Sequence, residues 1–426
     1  MNLTQTVQSP AKGHPIMAFI LGLLSANNIA YAFVVGSTPI LVICIYALIC
    51  LGWLIIERPS RLDQILSAIP KSLLIFFLCT LLSVGFVLIF HADYMYQWFM
   101  GIIELLMYTL IILTVVVLKD NFSSIINGIL WGIVINAIFA IFAYILYRGG
   151  IIFTLSTMFP AWKMPVLLIY NDYRAWGLFL EPGHLMRYTA IMSILVYANL
   201  DKSRKITKWI FLLSVATIMI FTISSSLIIF VVGILLFFIL RGRVNFAKSL
   251  YAFLALALGI SVIYLLAQTS PLIQELWNSF VEGLFNFTAS DSSNTDRLTG
   301  MKSAIKVIGK YLVTGCGWNT FTMVFQELGF YTQKVRGSYS ALLSLFAELG
   351  VGAFAYIAFV VESIRKNISK KTIQNIAIAC SIIIYFALYT LTDYGLNGDC
   401  AVFIGFIIVQ SIKNKEDARQ TLNGEI

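Results

Sequence analysis

The residues best suited to chemistry fall in two stretches of this chain. The first reads Asn171-Asp-Tyr-Arg-Ala-Trp-Gly-Leu-Phe-Leu-Glu-Pro-Gly-His-Leu-Met-Arg-Tyr188 and carries Arg174, Glu181, His184, Arg187 and Tyr188. The second holds Arg297, Lys302, Lys306, Lys310, the loop Gly315-Cys-Gly-Trp-Asn319, Lys334 and Arg336. An arginine fork holds phosphate or carboxylate oxygens in pairs and stays charged. A histidine or carboxylate within hydrogen-bond reach can accept a proton. Other chemistries lack their parts: the chain has no GxxxxGK[ST] phosphate loop, no HExxH and no DxD-like acidic pair, and its three histidines, His14, His91 and His184, are far apart in sequence. No metal or other cofactor is expected.

The elements that must position these residues follow from composition. The 426 residues are 59% hydrophobic and only 12% charged, with a mean hydropathy of +0.88. That excludes a water-soluble globule, in which about a quarter of residues are charged. Apolar runs between polar breaks give about twelve membrane spans, at 16–35, 38–56, 72–91, 98–118, 124–147, 184–199, 209–223, 226–240, 249–267, 339–361, 372–391 and 396–411. The run from 209 to 240 could be one long tilted helix. Lys202, Arg204, Lys205 and Lys208 before it, and Arg241, Arg243 and Lys248 after it, favour a hairpin with both ends on the cytoplasmic side. Arg58, Arg61, Lys71, Lys119, Arg365, Lys366, Lys370, Lys371, Lys413, Lys415 and Arg419 fall on that same side, so both termini are expected in the cytoplasm and the +9 charge is mostly topological, not a nucleic-acid footprint. The polar first fifteen residues lead into an apolar run with no small-residue cleavage site, as an uncleaved first span would. The expected fold is an all-α polytopic membrane protein, one integral domain over 1–426, with long extracytoplasmic loops at 148–183 and 268–338. The six cysteines, Cys44, Cys50, Cys79, Cys316, Cys380 and Cys400, show no metal-ligand spacing and read as small buried hydrophobes.

Positive charge in the two outer loops breaks the inside-positive pattern and needs another reason. Pro182 suits a first helical turn, which places Glu181 at a helix mouth and His184, Arg187 and Tyr188 on one face. An arginine at that depth is costly unless it is paired or lines a wet cavity; the alternative is that it snorkels to the headgroups while His184 caps a backbone group. In the second loop, 271–284 reads as a surface-lying amphipathic helix. After a polar turn at Asp291-Ser-Ser-Asn-Thr-Asp-Arg297, a second helix runs to about Leu312, with Leu298, Met301, Ile305, Ile308 and Leu312 on an apolar stripe and Lys302, Lys306 and Lys310 on another. Arg297 sits at the edge of the apolar stripe, toward the bundle. The lysines could face solvent, lipid phosphates or a polyanionic substrate. Gly315 and Gly317 could bring backbone close to a ligand or simply make a turn. Glu104 and Glu348 within spans, and Asp393 and Asp399 in the last outer loop, are further candidates.

The segment from Arg174 to Tyr188, especially Phe-Leu-Glu-Pro-Gly-His, resembles one found in Wzy-type O-antigen and capsular polysaccharide polymerases. The stretch from Arg297 through Gly315-Cys-Gly-Trp-Asn319 to Ser338-Tyr-Ser-Ala-Leu-Leu-Ser-Leu-Phe-Ala-Glu-Leu-Gly350 is similar to the large-loop region of the wider O-antigen ligase and polymerase superfamily. The resemblance implies a lipid-dependent (GT-C-like) glycosyltransferase architecture in the bacterial inner membrane. It also implies a metal-independent, extracytoplasmic transfer of glycan from an undecaprenyl-diphosphate carrier to a sugar hydroxyl of a second lipid-linked repeat unit, in lipopolysaccharide or capsule biosynthesis. A chain-length regulator and a flippase are the implied protein partners. Carried over residue by residue, Arg187 and Arg297 hold the donor diphosphate, Arg174 and Arg336 support them, Tyr188 and Lys302 line the substrate site, and His184 or Glu181 serves as the base. Ligases of the superfamily place a histidine just before the helix beginning near Tyr339; here those positions are Gly337 and Ser338, which favours the polymerase branch. Rival readings are a flippase or transporter of lipid-linked oligosaccharide and a non-catalytic assembly partner, although no internal repeat is visible.

Overall fold

The computed structural model describes residues 14–26, 33–35, 38–40, 42–57, 69–149, 177–179, 182–200, 204–222, 226–242, 268, 274, 292–331, 338, 340–390 and 398–422. They form a helical protein. In chain order the helices are α1 (Pro15–Ser25), α2 (Val42–Glu57), α3 (Lys71–Leu82), α4 (Val84–Phe90), α5 (Met95–Val117), α6 (Phe122–Arg148), α7 (Pro182–Asn199), α8 (Lys205–Thr222) and α9 (Ser226–Leu240). After them come α10 (Ser292–Lys310), α11 (Phe321–Glu327), α12 (Ala341–Leu349), α13 (Ala353–Lys370), α14 (Ile373–Tyr385), extended by a wide π-type turn over Phe386–Thr390, and α15 (Gly398–Leu422).

Among the described residues, five helical stretches are long and apolar enough to cross a membrane: Lys71–Phe90, Ala92–Val117, Lys119–Tyr147, Lys205–Thr222 and Ala341–Lys370. Shorter apolar helices occupy Pro15–Ser25, Cys44–Ile56, Ile229–Leu240 and Ile373–Leu388. The expected span at 249–267 and the amphipathic segment at 271–284 lie outside the described residues, apart from the isolated Gln274.

The polar sequence of α7 has a physical reason. This helix is wrapped by α6, α8, α9 and α14, and from Leu185 to Val196 every side chain is buried. Shielded from lipid, it need not be apolar all round. Two of its polar side chains bond to its own backbone, Thr189 Oγ1 to the Leu185 carbonyl at 2.7 Å and Asn199 Nδ2 to the Leu195 carbonyl at 2.8 Å. Ser381 Oγ of α14 reaches the Ile191 carbonyl at 2.9 Å. The tightest helix pair is α1 on α6, where a Cβ on Gly22 would stand 2.1 Å from the Ile125 carbonyl oxygen and one on Gly128 2.1 Å from that of Phe19. Small residues let the two backbones touch, the usual source of attraction between helices in lipid.

Two features differ from the sequence expectation. The first predicted span, 16–35, is a helix only to Ser25; Phe33–Val35 instead pairs antiparallel with Thr38–Ile40, in register Phe33 to Ile40. Phe33, Val34 and Val35 are residues that favour strands, and a continuous apolar run does not distinguish the two structures. The predicted spans 72–91 and 339–361 are likewise each two helices, α3 and α4 meeting at Ser83, and α12 and α13 separated by a tight turn at Gly350–Gly352.

Candidate functional site

The first group of predicted residues lies at the head of α7. Arg187 is only 8% exposed and Tyr188 1%. Tyr188 packs against Phe179, with ring centroids 5.3 Å apart and the planes tilted by 43°, and its hydroxyl shares a 2.9 Å hydrogen bond with Ser25 Oγ of α1. His184 is half-buried one turn above. The approach to this helix is fixed by Asn136 of α6. Its Nδ2 donates to the carbonyls of Ala26 and Gly132, both at 2.8 Å, and its Oδ1 accepts from the Leu178 amide at 2.7 Å. One buried amide therefore ties α1, α6 and the segment leading into α7. Arg174 and Glu181 lie outside the described residues.

The second group stands on a platform formed by α10, the loop 311–320 and α11. The helix expected to run to about Leu312 is present as α10, which starts earlier, at Ser292, so that most of the predicted polar turn is helical; its buried face is Gly300, Ser303, Ala304 and Val307, packed toward α12. Leu298, Ile305 and Leu312 of the predicted apolar stripe are 54%, 58% and 55% exposed. The correction follows from the surroundings: close packing on α12 takes the small residues, and the large apolar ones are left outside. Position 297 shares a face with 300 and 304 by the helical period, while the Arg297 side chain, like all of Arg336, lies outside what is described. Lys302, Lys306 and Lys310 are exposed; Lys306 Nζ stands 5.6 Å over the Phe330 ring and Lys310 Nζ 5.2 Å over that of Tyr311.

The loop Gly315-Cys-Gly-Trp-Asn319 is where the platform meets the bundle. Cys316 N–H donates to the Ala347 carbonyl at 2.8 Å, Gly317 N–H to that of Glu348 at 2.9 Å, and Val351 N–H to that of Val313 at 3.3 Å. Gly315 and Gly350 have φ of +71° and +54°. A Cβ on Gly315 would sit 2.1 Å from the Glu348 carbonyl oxygen, and one on Gly350 2.5 Å from that of Val313. Gly315 and Gly350 thus allow backbone-on-backbone docking, while Gly317, at φ +110°, stands where a Cβ would lie 2.1 Å from the Val87 side chain. The break between α12 and α13 exists because the loop lies against it, and the bonds among Val313, Cys316, Gly317, Ala347, Glu348 and Val351 pair backbone groups there.

Ser83, at the turn between α3 and α4, receives the other side of the loop. Its Oγ donates to the Thr80 carbonyl at 2.7 Å and accepts from Trp98 Nε1 at 3.0 Å and from the Trp318 amide at 3.1 Å. Asn319 Nδ2 bonds to the Gln97 carbonyl at 2.9 Å, and Trp318 meets Phe76 edge-on at 6.0 Å. Beside it His91 stacks on Tyr94 with its Nδ1 3.7 Å from Glu327 Oε2, which also accepts from the Tyr94 hydroxyl at 3.2 Å. Glu348 is held by the amides of Asn319 and Phe321 and lies within electrostatic range of Glu104, whose carboxylate accepts from Tyr108. Burial, with the Glu348 charge adding, pushes the Cys316 thiol up to about 12. Asp393 and the side chain of Asp399 lie outside the described residues. Among the described residues no three His, Cys, Asp or Glu side chains gather as a metal site.

Sequence reasoning singled out His184, Arg187 and the glycine loop, but not Ser83, Gln97 or the His91 and Glu327 pair. A serine between two apolar helices carries no local signal, and a contact spanning more than two hundred residues leaves none either.

No family model matches the chain, and no curated protein matches it.

Proposed function

We propose that this membrane protein is a lipid-linked repeat-unit polymerase of the O-antigen or capsule type, acting at the outer face of a bacterial inner membrane with both termini in the cytoplasm. In this reading Arg187 and Arg297, supported by Arg174 and Arg336, hold the diphosphate of the donor. The bond from the glycan's reducing-end carbon to the diphosphate oxygen breaks, the acceptor hydroxyl oxygen bonds to that carbon, and its proton passes to His184 or Glu181. The departing lipid diphosphate gains negative charge, so fixed guanidiniums favour the transition state over the ground state. Tyr188, held by its bond to Ser25, and Lys302 line the substrate site in this reading.

The observation that supports this reading most is Arg187 itself: a guanidinium 8% exposed near the N-terminus of a helix in which every side chain from Leu185 to Val196 is buried, and an ionisable residue so placed in a membrane protein is a functional-site hypothesis by default. Reconstitution into liposomes with undecaprenyl-diphosphate-linked repeat units tests it. Polymer ladders from the wild type and none from Arg187→Gln, with the variant inserted and folded, support the enzyme. The broken helix at Gly350–Gly352 favours a second reading, since transporters build substrate sites on interrupted helices. Movement of the repeat unit across the bilayer without chain growth would select that reading, and neither activity would select an assembly partner.

A further inference from the structure

The helix α10 carries an apolar flank to which the polymerase reading gives no role. At about 100° per residue the surface of this helix divides in three. Gly300, Ser303, Ala304 and Val307 are buried toward α12. To one side of them lie Met301, Ile308, Ile305 and Leu298, and to the other Lys302, Lys306 and Lys310. Leu298 and Ile305 are exposed, as are Leu312 and Val313 just past the end of the helix. A single exposed leucine needs no explanation, whereas a contiguous apolar flank marks a surface made to be covered.

The level at which α10 sits shows what covers it. Ala304 and Val307 share one apolar cluster with Cys316 and Ala347. Ala347 belongs to α12, the opening part of the stretch Ala341–Lys370 that is long and apolar enough to cross a membrane. The helix therefore packs beside a membrane-length stretch, not above it. Where α10 gives way to the loop, the Val351 N–H donates to the Val313 carbonyl at 3.3 Å, and Val351 and Phe354 of that stretch are themselves exposed. The apolar flank thus runs without a seam into the outward surface of the spanning stretch. A protein partner would have to stop at that line, whereas a lipid leaflet covers both sides of it. The lysine flank agrees with this placement: Lys306 Nζ stands over the Phe330 ring and Lys310 Nζ over that of Tyr311, which sets their charges away from the apolar flank. Lysines on one side and large aliphatic residues on the other are the composition of a helix lying in a membrane interface, the lysine stems along apolar surface and the ammonium groups in the headgroup layer.

We propose that α10 lies in the interface of the membrane leaflet with phospholipid as its partner. Acyl chains cover Leu298, Ile305, Leu312 and Val313 in continuity with those against Val351 and Phe354, and lipid phosphates meet Lys306 and Lys310. The inference stands whether or not the polymerase reading does.

Fluorescence quenching in vesicles of phosphatidylcholine and phosphatidylglycerol tests it. The full-length protein, freed of its native cysteines, carries one nitrobenzoxadiazole probe at Leu298→Cys, Ile305→Cys or Lys306→Cys, with Phe354→Cys as the reference on the spanning stretch. At Leu298→Cys and Ile305→Cys, as at Phe354→Cys, the probe should lose most of its emission to doxyl-labelled phosphatidylcholine and little to iodide present on both sides of the vesicles. At Lys306→Cys iodide should be the stronger quencher. Thermal unfolding verifies that each labelled protein is folded, and Leu298→Cys and Ile305→Cys report on the same flank independently. Iodide quenching at Ile305→Cys and Leu298→Cys equal to that at Lys306→Cys would mean a solvated helix, and protection of that flank from both quenchers would mean that another protein segment covers it. Either result would overturn the proposal.

Discussion

Replacing Gly315 with alanine is the sharpest probe of the loop that joins the platform to the bundle. At φ +71° an L residue is strained by about 1–2 kcal/mol. The new methyl would lie 2.1 Å from the Glu348 carbonyl oxygen and 2.6 Å from the Leu349 nitrogen, both backbone atoms within a packed turn. The loop must withdraw by roughly 1 Å or more before the contact is relieved. The bonds from Cys316 and Gly317, now 2.8 and 2.9 Å, then pass beyond hydrogen-bonding range, at about 1–3 kcal/mol for each buried group left unpaired. The sum shifts the docking equilibrium by about 3 kcal/mol or more, on the order of a hundredfold. Cys316 reports it. A thiol held at about 12 instead of 9.0 carries on the order of a thousandfold less thiolate at neutral pH, and thiolate is the reactive form. In a variant retaining Cys316 as its single cysteine, maleimide labelling should be very slow and should accelerate on the order of a hundredfold with Gly315→Ala. Two controls separate the causes. Gly329 has φ +73° with no atom within 4 Å of an added Cβ, so Gly329→Ala carries strain without the clash. Gly309, within α10 and equally unobstructed, should accept alanine with a gain of about 0.5–1 kcal/mol. Unchanged labelling in Gly315→Ala, or equal acceleration by Gly329→Ala, would refute the reasoning.

Ser83→Ala removes the acceptor of two donors, Trp98 Nε1 and the Trp318 amide, and should lower stability in detergent by about 2–4 kcal/mol; a loss below about 0.5 kcal/mol would show that the serine is not the junction described. Asn136→Ala cuts three bonds that hold α1, α6 and Leu178 together. Thermal unfolding should reveal a loss of similar size, and a change confined to surface-substitution levels would contradict it.

Hydropathy located most of the helices because the physical signal, a run too apolar for water, is local. It also found α7, where Pro182 marks the start despite the arginine and histidine that follow. It failed where the deciding contact is remote. Nothing between 339 and 361 shows that the helix breaks at Gly350, since the cause is a loop some thirty-five residues upstream in the chain. The stripe on α10 was read from residue size, whereas packing on α12 selected Gly300, Ala304 and Val307. Chemically rich types announced Arg187 and His184. Ser83 and Asn136 are silent in sequence because a single polar residue in an apolar helix acquires its meaning from partners on other elements.

The central claim is that two remote stretches of chain grip one lipid diphosphate. A photoreactive undecaprenyl-diphosphate analogue, crosslinked to the reconstituted protein and mapped by peptide mass spectrometry, tests it directly. Labelling in both the Glu181 to Tyr188 region and the Ser292 to Lys310 helix, competed by natural repeat units and lost from both in Arg187→Gln, is the predicted result. Labelling confined to one stretch, or undiminished by that substitution, would contradict the account.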